Sequence, residues 1–300
     1  MTDKSLSISP TRKLGKTDLE VSALAWGMWR FAGDDLDAAT ARVEAALAAG
    51  INFFDTADIY GTGFGAAEAL LGRVFAHAPS LRKGVVLATK GGIQPGVPYN
   101  SSAAYLIAAC EASLKRMGVE RVELYQIHRP DSLAHPAEVA AAFDTLRGAG
   151  KIAEAGVSNY TRPQVAALRA HLPFALASTQ PEFSALTIAP VSDGVLDQAM
   201  EVGMGVMAWS PLGGGRLGGH SDDPRVKAVA AALDEIATRQ GVSRASVAYA
   251  WIMAHPSGAI PIVGSQQPER IAQSVEALSV TLSRAEWYAV LTASRGTPLP

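Results

Sequence analysis

Eight short apolar runs recur along the chain, at residues 23–26, 51–54, 85–89, 122–127, 152–157, 174–179, 205–208 and 259–263. Between them lie Ala-rich segments with helical spacing, clearest at residues 37–49, 103–117 and 137–149. Strand and helix alternate, and each crossover helix returns the chain to the same starting edge, so the strands are expected to be parallel. Eight such units in a chain of 300 residues predict a (β/α)8 barrel. No Pro/Gly/Ser-rich linker divides the sequence, and residues 1–300 are read as a single domain. A doubly wound open sheet is the competing architecture, but it favours a glycine fingerprint after the first strand. The one literal match, Gly213-Gly214-Gly215-Arg216-Leu217-Gly218, comes late and runs into Asp223-Pro224 instead of opening a helix. Ahead of the first barrel strand, residues 12–21 read as a hairpin turning at Gly15 to Asp18, suited to plugging the barrel's bottom.

Hydrophobic residues make up 48% of the chain and charged ones 18%, enough to bury a sizeable core. The net charge of −2 and the lack of a basic stripe argue against nucleic acid as a partner. One cysteine, Cys110, cannot form an internal disulfide and falls in a helical pattern, where a buried, unreactive thiol is expected. The first thirteen residues carry no apolar core of a secretory signal, and no apolar run reaches a membrane span. A cytoplasmic protein without membrane partners is the expectation. Oligomeric state leaves no mark in the sequence.

Chemistry concentrates where the apolar runs end. The closing residues, in order, are Gly27, Asp55, Lys90, His128, Ser158 with Asn159, Gln180, Ser210 and Gly264. In a parallel barrel these ends open on one face, where active sites are built. Singly, each has a plainer role: Lys90 as a solvated ammonium, His128 as a loop partner, Asp55 as a turn cap and Tyr60 as a rim aromatic. Together they form an acid. A phenol with an ordinary pKa near 10 gains acidity beside an ammonium, and a carboxylate keeps that ammonium charged in a dry pocket. A histidine alongside can orient a carbonyl oxygen. Asp55, Tyr60, Lys90 and His128 are therefore the candidate catalytic residues, able to protonate a developing alkoxide. The six histidines show no metal-ligand spacing, which sets a metal-dependent hydrolase aside.

Over nearly its whole length the chain resembles the aldo-keto reductases, in particular a bacterial oxidoreductase branch. The resemblance rests on Asp55-Thr56-Ala57-Asp58-Ile59-Tyr60-Gly61, Ala88-Thr89-Lys90, Ile127-His128-Arg129-Pro130, Gly156-Val157-Ser158-Asn159, Gln180-Pro181-Glu182-Phe183-Ser184 and Trp209-Ser210-Pro211-Leu212. It implies reduction of an aldehyde or ketone by hydride transfer, with Tyr60 as general acid. It also implies NADPH as coenzyme, favoured over NADH and bound without a Rossmann fold. Ser158, Asn159 and Gln180 would hold the carboxamide, and Trp209 would stack on the nicotinamide where many relatives have Tyr. Gly27, Met28 and Asp55 would border the coenzyme. The loop from Ser210 through Pro211, Leu212, Gly214 and Arg216 to Gly218 would wrap the pyrophosphate with backbone N–H groups. Gly264, Ser265, Gln266, Arg270 and Ser274 correspond to the 2'-phosphate region. Gly264 stands where one branch has lysine and Ser274 where many have asparagine, leaving Arg270 as the obvious cation. Trp29, Tyr60 and His128 would meet a small carbonyl substrate, with Arg30 and Arg129 nearby. A non-catalytic coenzyme-binding barrel is the alternative the fold permits. The tail at residues 296–300 is expected either to cover the barrel mouth or to lie free.

Overall fold

The computed structural model describes residues 9–299. It begins with an antiparallel pair, β1 (Thr11–Lys13) and β2 (Glu20–Ser22). Their turn carries Gly15 at φ +58°, where an added Cβ would stand 2.6 Å from the Gly203 carbonyl oxygen and 2.8 Å from that of Ala177. Only glycine permits both the backbone conformation and the approach. That contact presses the hairpin onto the barrel, and Leu14 reaches inward to join Phe53, Ala88, Leu124 and Met207 in the interior core.

Eight parallel strands close the barrel: β3 (Ala25–Gly27), β4 (Phe53–Asp55), β5 (Val86–Gly91), β6 (Val122–Ile127), β7 (Ile152–Ser158), β8 (Ser178–Gln180), β9 (Gly205–Ala208) and β10 (Ile260–Val263). Closure comes where β10 pairs with both β9 and β3. The helices are α1 (Leu36–Ala48), α2 (Ala66–His77), α3 (Pro79–Arg82), α4 (Ala103–Met117), α5 (Pro136–Gly148), α6 (Arg162–Arg169), α7 (Val195–Val202), α8 (Pro224–Gln240), α9 (Arg244–Met253), α10 (Pro268–Gln273) and α11 (Arg284–Arg295). A second, larger core lies between strands and helices. Among the described residues no helix is long and apolar enough to cross a membrane.

Local chemistry explains the boundaries. In α4 the Ser102 hydroxyl accepts from the Tyr105 N–H, and Gly118 ends the helix in the left-handed region. Its inner face buries Leu106, Cys110, Leu114 and Met117, and burial pushes the Cys110 thiol up to about 12. That thiol is fully buried, as its helical position suggests. Helix α1 starts a residue earlier than its spacing predicts, because Asp35 caps it, and α5 does so because His135 caps it ahead of Pro136. The strand near residue 51 also shifts. Ile51 donates its N–H back to Ala46 to finish α1, and Asn52 is spent on Ser22 and Glu20 of the hairpin. The strand near residue 174 is shorter than expected, beginning only at Ser178. Phe174 lies under the Arg147 guanidinium at 4.5 Å, and Leu176 is buried as a packing residue rather than a ladder member.

Candidate active site

The strand ends meet at one face. Asp55 closes β4, Lys90 lies one residue from the end of β5, and His128 follows β6 directly. Tyr60 sits on the loop after β4, held by a turn in which its N–H donates to the Ala57 carbonyl at 3.1 Å. The Lys90 ammonium is fully buried and spends its three donors on three acceptors. These are Asp55 Oδ2 at 2.7 Å, the Thr56 carbonyl at 2.9 Å and Tyr60 Oη at 3.2 Å. Because the ammonium donates to the phenol oxygen, the phenol's own proton is left for the cavity that Tyr60 lines. The His128 and Tyr60 rings meet edge to face with centroids 5.6 Å apart, and Trp29 meets Tyr60 edge to face at 5.1 Å.

Burial governs the protonation states. It raises the Tyr60 pKa above its ordinary value, and the Lys90 charge limits the rise without reversing it. The phenol therefore stays protonated across the neutral range. Burial pulls the Lys90 ammonium down, but Asp55 and Tyr60 together outweigh it and the net shift is upward. His128 is held well below the usual histidine range, by burial first and then by the charges of Lys90 and Arg129. It is a neutral imidazole, with Nδ1 buried and unpartnered among the described residues.

Beside this group, β7 and β8 contribute a hydrogen-bonded wall. Ser158 Oγ donates to the Gln180 carbonyl at 2.9 Å, and Asn159 donates to Ser158 Oγ and to the His128 carbonyl. Asn159 adopts φ 60°, a left-handed conformation that asparagine tolerates. Its Oδ1 accepts the Trp209 indole N–H at 2.9 Å, which fixes the indole, and the Arg129 guanidinium lies 5.5 Å from that ring's centre. Gln180 Nε2 donates to Asp55 Oδ1 at 2.9 Å, across 125 residues of sequence.

From here a cavity of about 1560 Å³ runs along the barrel mouth. That is larger than the few hundred to 1,000 Å³ of an ordinary small-molecule pocket. Asp55, Ser158, Asn159, Gln180 and Trp209 line the end beside the catalytic group, and Gly27 lies next to Gln266, whose Nε2 donates to its carbonyl at 2.9 Å. Ser210, Pro211, Leu212, Gly214, Gly264, Ser265 and Gln266 line the stretch beyond, and Arg270 and Ser274 the far end. Two residues of the expected coenzyme set do not reach its wall. Met28 is wholly buried in the outer core, and Arg216 folds back so that its Nε donates to the Gly213 carbonyl at 2.9 Å. The glycine loop also differs from expectation. The N–H groups of residues 213–218 are all bonded within the loop, so it offers the Ser210 hydroxyl and its shape rather than a row of free donors. Residues 296–299 do not line the cavity, Leu299 packs against the outer core, and Pro300 lies outside the described residues.

Several residues at this face escaped the sequence reading. Gln126 and Ser178 are fully buried polar side chains below the wall, joined through Gln126 Nε2 to Ser178 Oγ at 3.2 Å. Gln126 follows the interior residue Leu124 by two positions, and that strand parity is the signal that marks it as inward-facing. At the far end Arg244 pairs with Asp234 through two hydrogen bonds and approaches the carbonyls of Leu217 and Gly219, tying the glycine loop to α8 and α9. Nothing in local sequence links these residues.

Comparison with known proteins agrees with this fold. The sequence model of the aldo/keto reductase family matches residues 23–294. A 6-dehydroglucose reductase of Novosphingobium aromaticivorans is 55% identical, over 96% of this chain and 97% of its own length. A protein of the same name from Agrobacterium fabrum is 38% identical, over 93% of this chain and 96% of its own. A crystal structure of a thermostable aldo-keto reductase with the inhibitor epalrestat superposes with a TM-score of 0.81 at 24% identity, covering 94% of this chain and 99% of that one. At that identity the likeness concerns the fold.

Proposed function

Because the chain belongs to the aldo/keto reductase family, whose members reduce carbonyl compounds with a nicotinamide coenzyme, we propose that it is an NADPH-dependent reductase in which Tyr60 is the general acid. When bound, the coenzyme supplies the hydride to the carbonyl carbon. The chain does the rest. Tyr60 gives its proton to the carbonyl oxygen as negative charge develops there. The Lys90 N–H aimed at Tyr60 Oη then steadies the phenolate left behind. Asp55 keeps that ammonium charged, and neutral His128 orients the carbonyl by donating from its ring. The observation that carries this reading is the single chain of contacts from Asp55 through Lys90 to a phenol that opens on the cavity.

The residues present fit the coenzyme. Gln180 Oε1 accepts no hydrogen bond from the described residues and belongs to a side chain on the cavity wall, suiting a carboxamide N–H. The Trp209 indole offers a flat face. Three cations line the far end. Lys227 is paired with Asp222 and Arg244 with Asp234, while Arg270 has no ion pair among the described residues and suits the 2'-phosphate of NADPH. For the substrate we take the relatives' name as guide: an oxidised hexose with an aldehyde at carbon 6. The half-exposed Trp29 face at the mouth suits the apolar side of a sugar ring, and Arg30 and Arg129 are donors for its hydroxyls. Loss of NADPH absorbance with 6-dehydroglucose, set against a simple aliphatic aldehyde, tests this. Preference for the sugar by tenfold or more in kcat/KM, about 1.4 kcal/mol, supports it. Absence of turnover with every aldehyde overturns it.

A further inference from the structure

Beneath the cavity floor lies a row of polar residues of which the proposed reaction uses only Lys90. Strand register aligns Lys90 of β5 with Gln126 of β6, Gln126 with Gly156 of β7, and Gly156 with Ser178 of β8. Barrel interiors at this level are ordinarily filled by apolar side chains. Here Gln126 and Ser178 are fully buried and joined across the intervening strand. Gly156 makes the junction possible, since a Cβ there would stand 2.2 Å from Ser178 Oγ and 3.2 Å from Gln126 Cγ.

The hydrogen bonds in this row run one way only. Asp55, paired with Lys90, is an acceptor, so the Gln180 group 2.9 Å from its Oδ1 has to be the amide NH2. The second N–H of the same nitrogen goes to Gln126 Oε1 at 3.2 Å. Gln126 in turn has its own NH2 toward Ser178 Oγ at 3.2 Å. Both N–H groups of Gln180 are thus consumed on the floor. Its carbonyl oxygen is the atom left for the cavity.

We propose that Gln126 is a positioning residue, which pins the Gln180 amide so that its carbonyl oxygen, and never its NH2, meets the coenzyme's carboxamide. Gln126 touches neither coenzyme nor substrate. It acts through Gln180, with Ser178 fixing its own orientation and Gly156 giving it room. Without Gln126 the second Gln180 N–H keeps only the weak thioether acceptor Met207 Sδ at 3.7 Å, and the amide is free to turn that donor toward the cavity.

The inference rests on the coenzyme reading above, and a binding measurement separates the two. Calorimetry gives dissociation constants for NADP+ and for its 3-acetylpyridine analogue, which keeps the ring carbonyl but lacks the amide N–H. Wild type is expected to favour NADP+ by about tenfold, the worth of one hydrogen bond. In Gln126→Met, of similar length and without the acceptor, the preference is expected to fall to about threefold or less. Gln126→Glu, whose protonated carboxyl both accepts from Gln180 and donates to Ser178, is expected to restore it. Purely structural damage would weaken both ligands alike. A ratio in Gln126→Met within twofold of wild type, or a wild type that binds both ligands equally, overturns the inference. If that variant does not fold, Ser178→Ala carries the same comparison: a ratio lowered at least twofold supports the role and an unchanged ratio rejects it. A wild type that binds neither ligand overturns the coenzyme reading, and this inference with it.

Discussion

Asp58 shares a loop with Tyr60, yet its carboxyl oxygens are buried and without a partner among the described residues. The nearby Arg116 is engaged by Glu68, at 2.7 Å from its Nε. Burial, with help from the Glu68 charge, pushes Asp58 up to about 8. Its folded pKa lies above its unfolded value of 3.8, so the stability it contributes is complete below that value and drains away as pH rises toward 8. Asp58→Asn does not titrate. Chemical denaturation at several pH values is therefore expected to show the variant gaining on wild type as pH rises from 5 to 8, by on the order of a few kcal/mol. A difference independent of pH would mean that Asp58 is ionised in the fold. His128 carries the opposite sign. Its folded pKa is depressed, so the imidazole stays neutral well below 6.5 and the kcat/KM profile should show no limb where an ordinary histidine titrates. A limb centred near 6.5 that disappears in a His128 variant contradicts this. Asp55, Lys90 and His128 were legible in the sequence because each ends an apolar run, and Tyr60 because it follows one of those ends within the same loop. The net rise of the Tyr60 pKa was not, since it depends on how completely the loop after β4 covers the ring.

The strands carry a parity that sorts their residues. Phe53 and Asp55, Ala88 and Lys90, and Leu124 and Gln126 are pairs in which an interior apolar side chain is followed two positions later by a polar one. Each pair faces inward, and the polar member lies nearer the barrel mouth. Alternation of strand and helix was readable from the spacing of apolar runs, and α4 has the predicted bounds. The displaced ends of β4 and β8 were not readable, because Ile51, Phe174 and Leu176 are apolar for reasons of helix closure and wall packing. The hairpin was visible as a turn, but its reliance on Gly15 is a property of the docked element. Gly15→Ala is expected to cost roughly 2–4 kcal/mol, through a strained backbone and a clash with two carbonyl oxygens. Chemical denaturation measures it. A cost below about 0.5 kcal/mol, typical of an uninvolved surface site, would show that the hairpin does not need this approach.

At the scale of the molecule, closing the barrel turns positions spread over much of the chain into one wall. Asp55 and Gln180 stand at separate strand ends in the sequence; only the closed sheet makes them partners. The far end was legible in part. Arg270 was recognisable by resemblance, whereas its distinction from Lys227 and Arg244 lies in the ion pairs those two make in three dimensions. Arg270→Leu is accordingly expected to weaken NADPH binding by about tenfold or more while leaving NADH unchanged, and parallel losses for both coenzymes would remove its link to the 2'-phosphate. In the proposed reaction, groups from separate strands surround one reacting oxygen and Tyr60 gives it a proton. The most direct test of that step pairs turnover with coenzyme affinity in Tyr60→Phe. There kcat is expected to fall by about 10²–10⁴-fold while the dissociation constant for NADPH stays within about twofold of wild type. Turnover at the wild-type rate would contradict it.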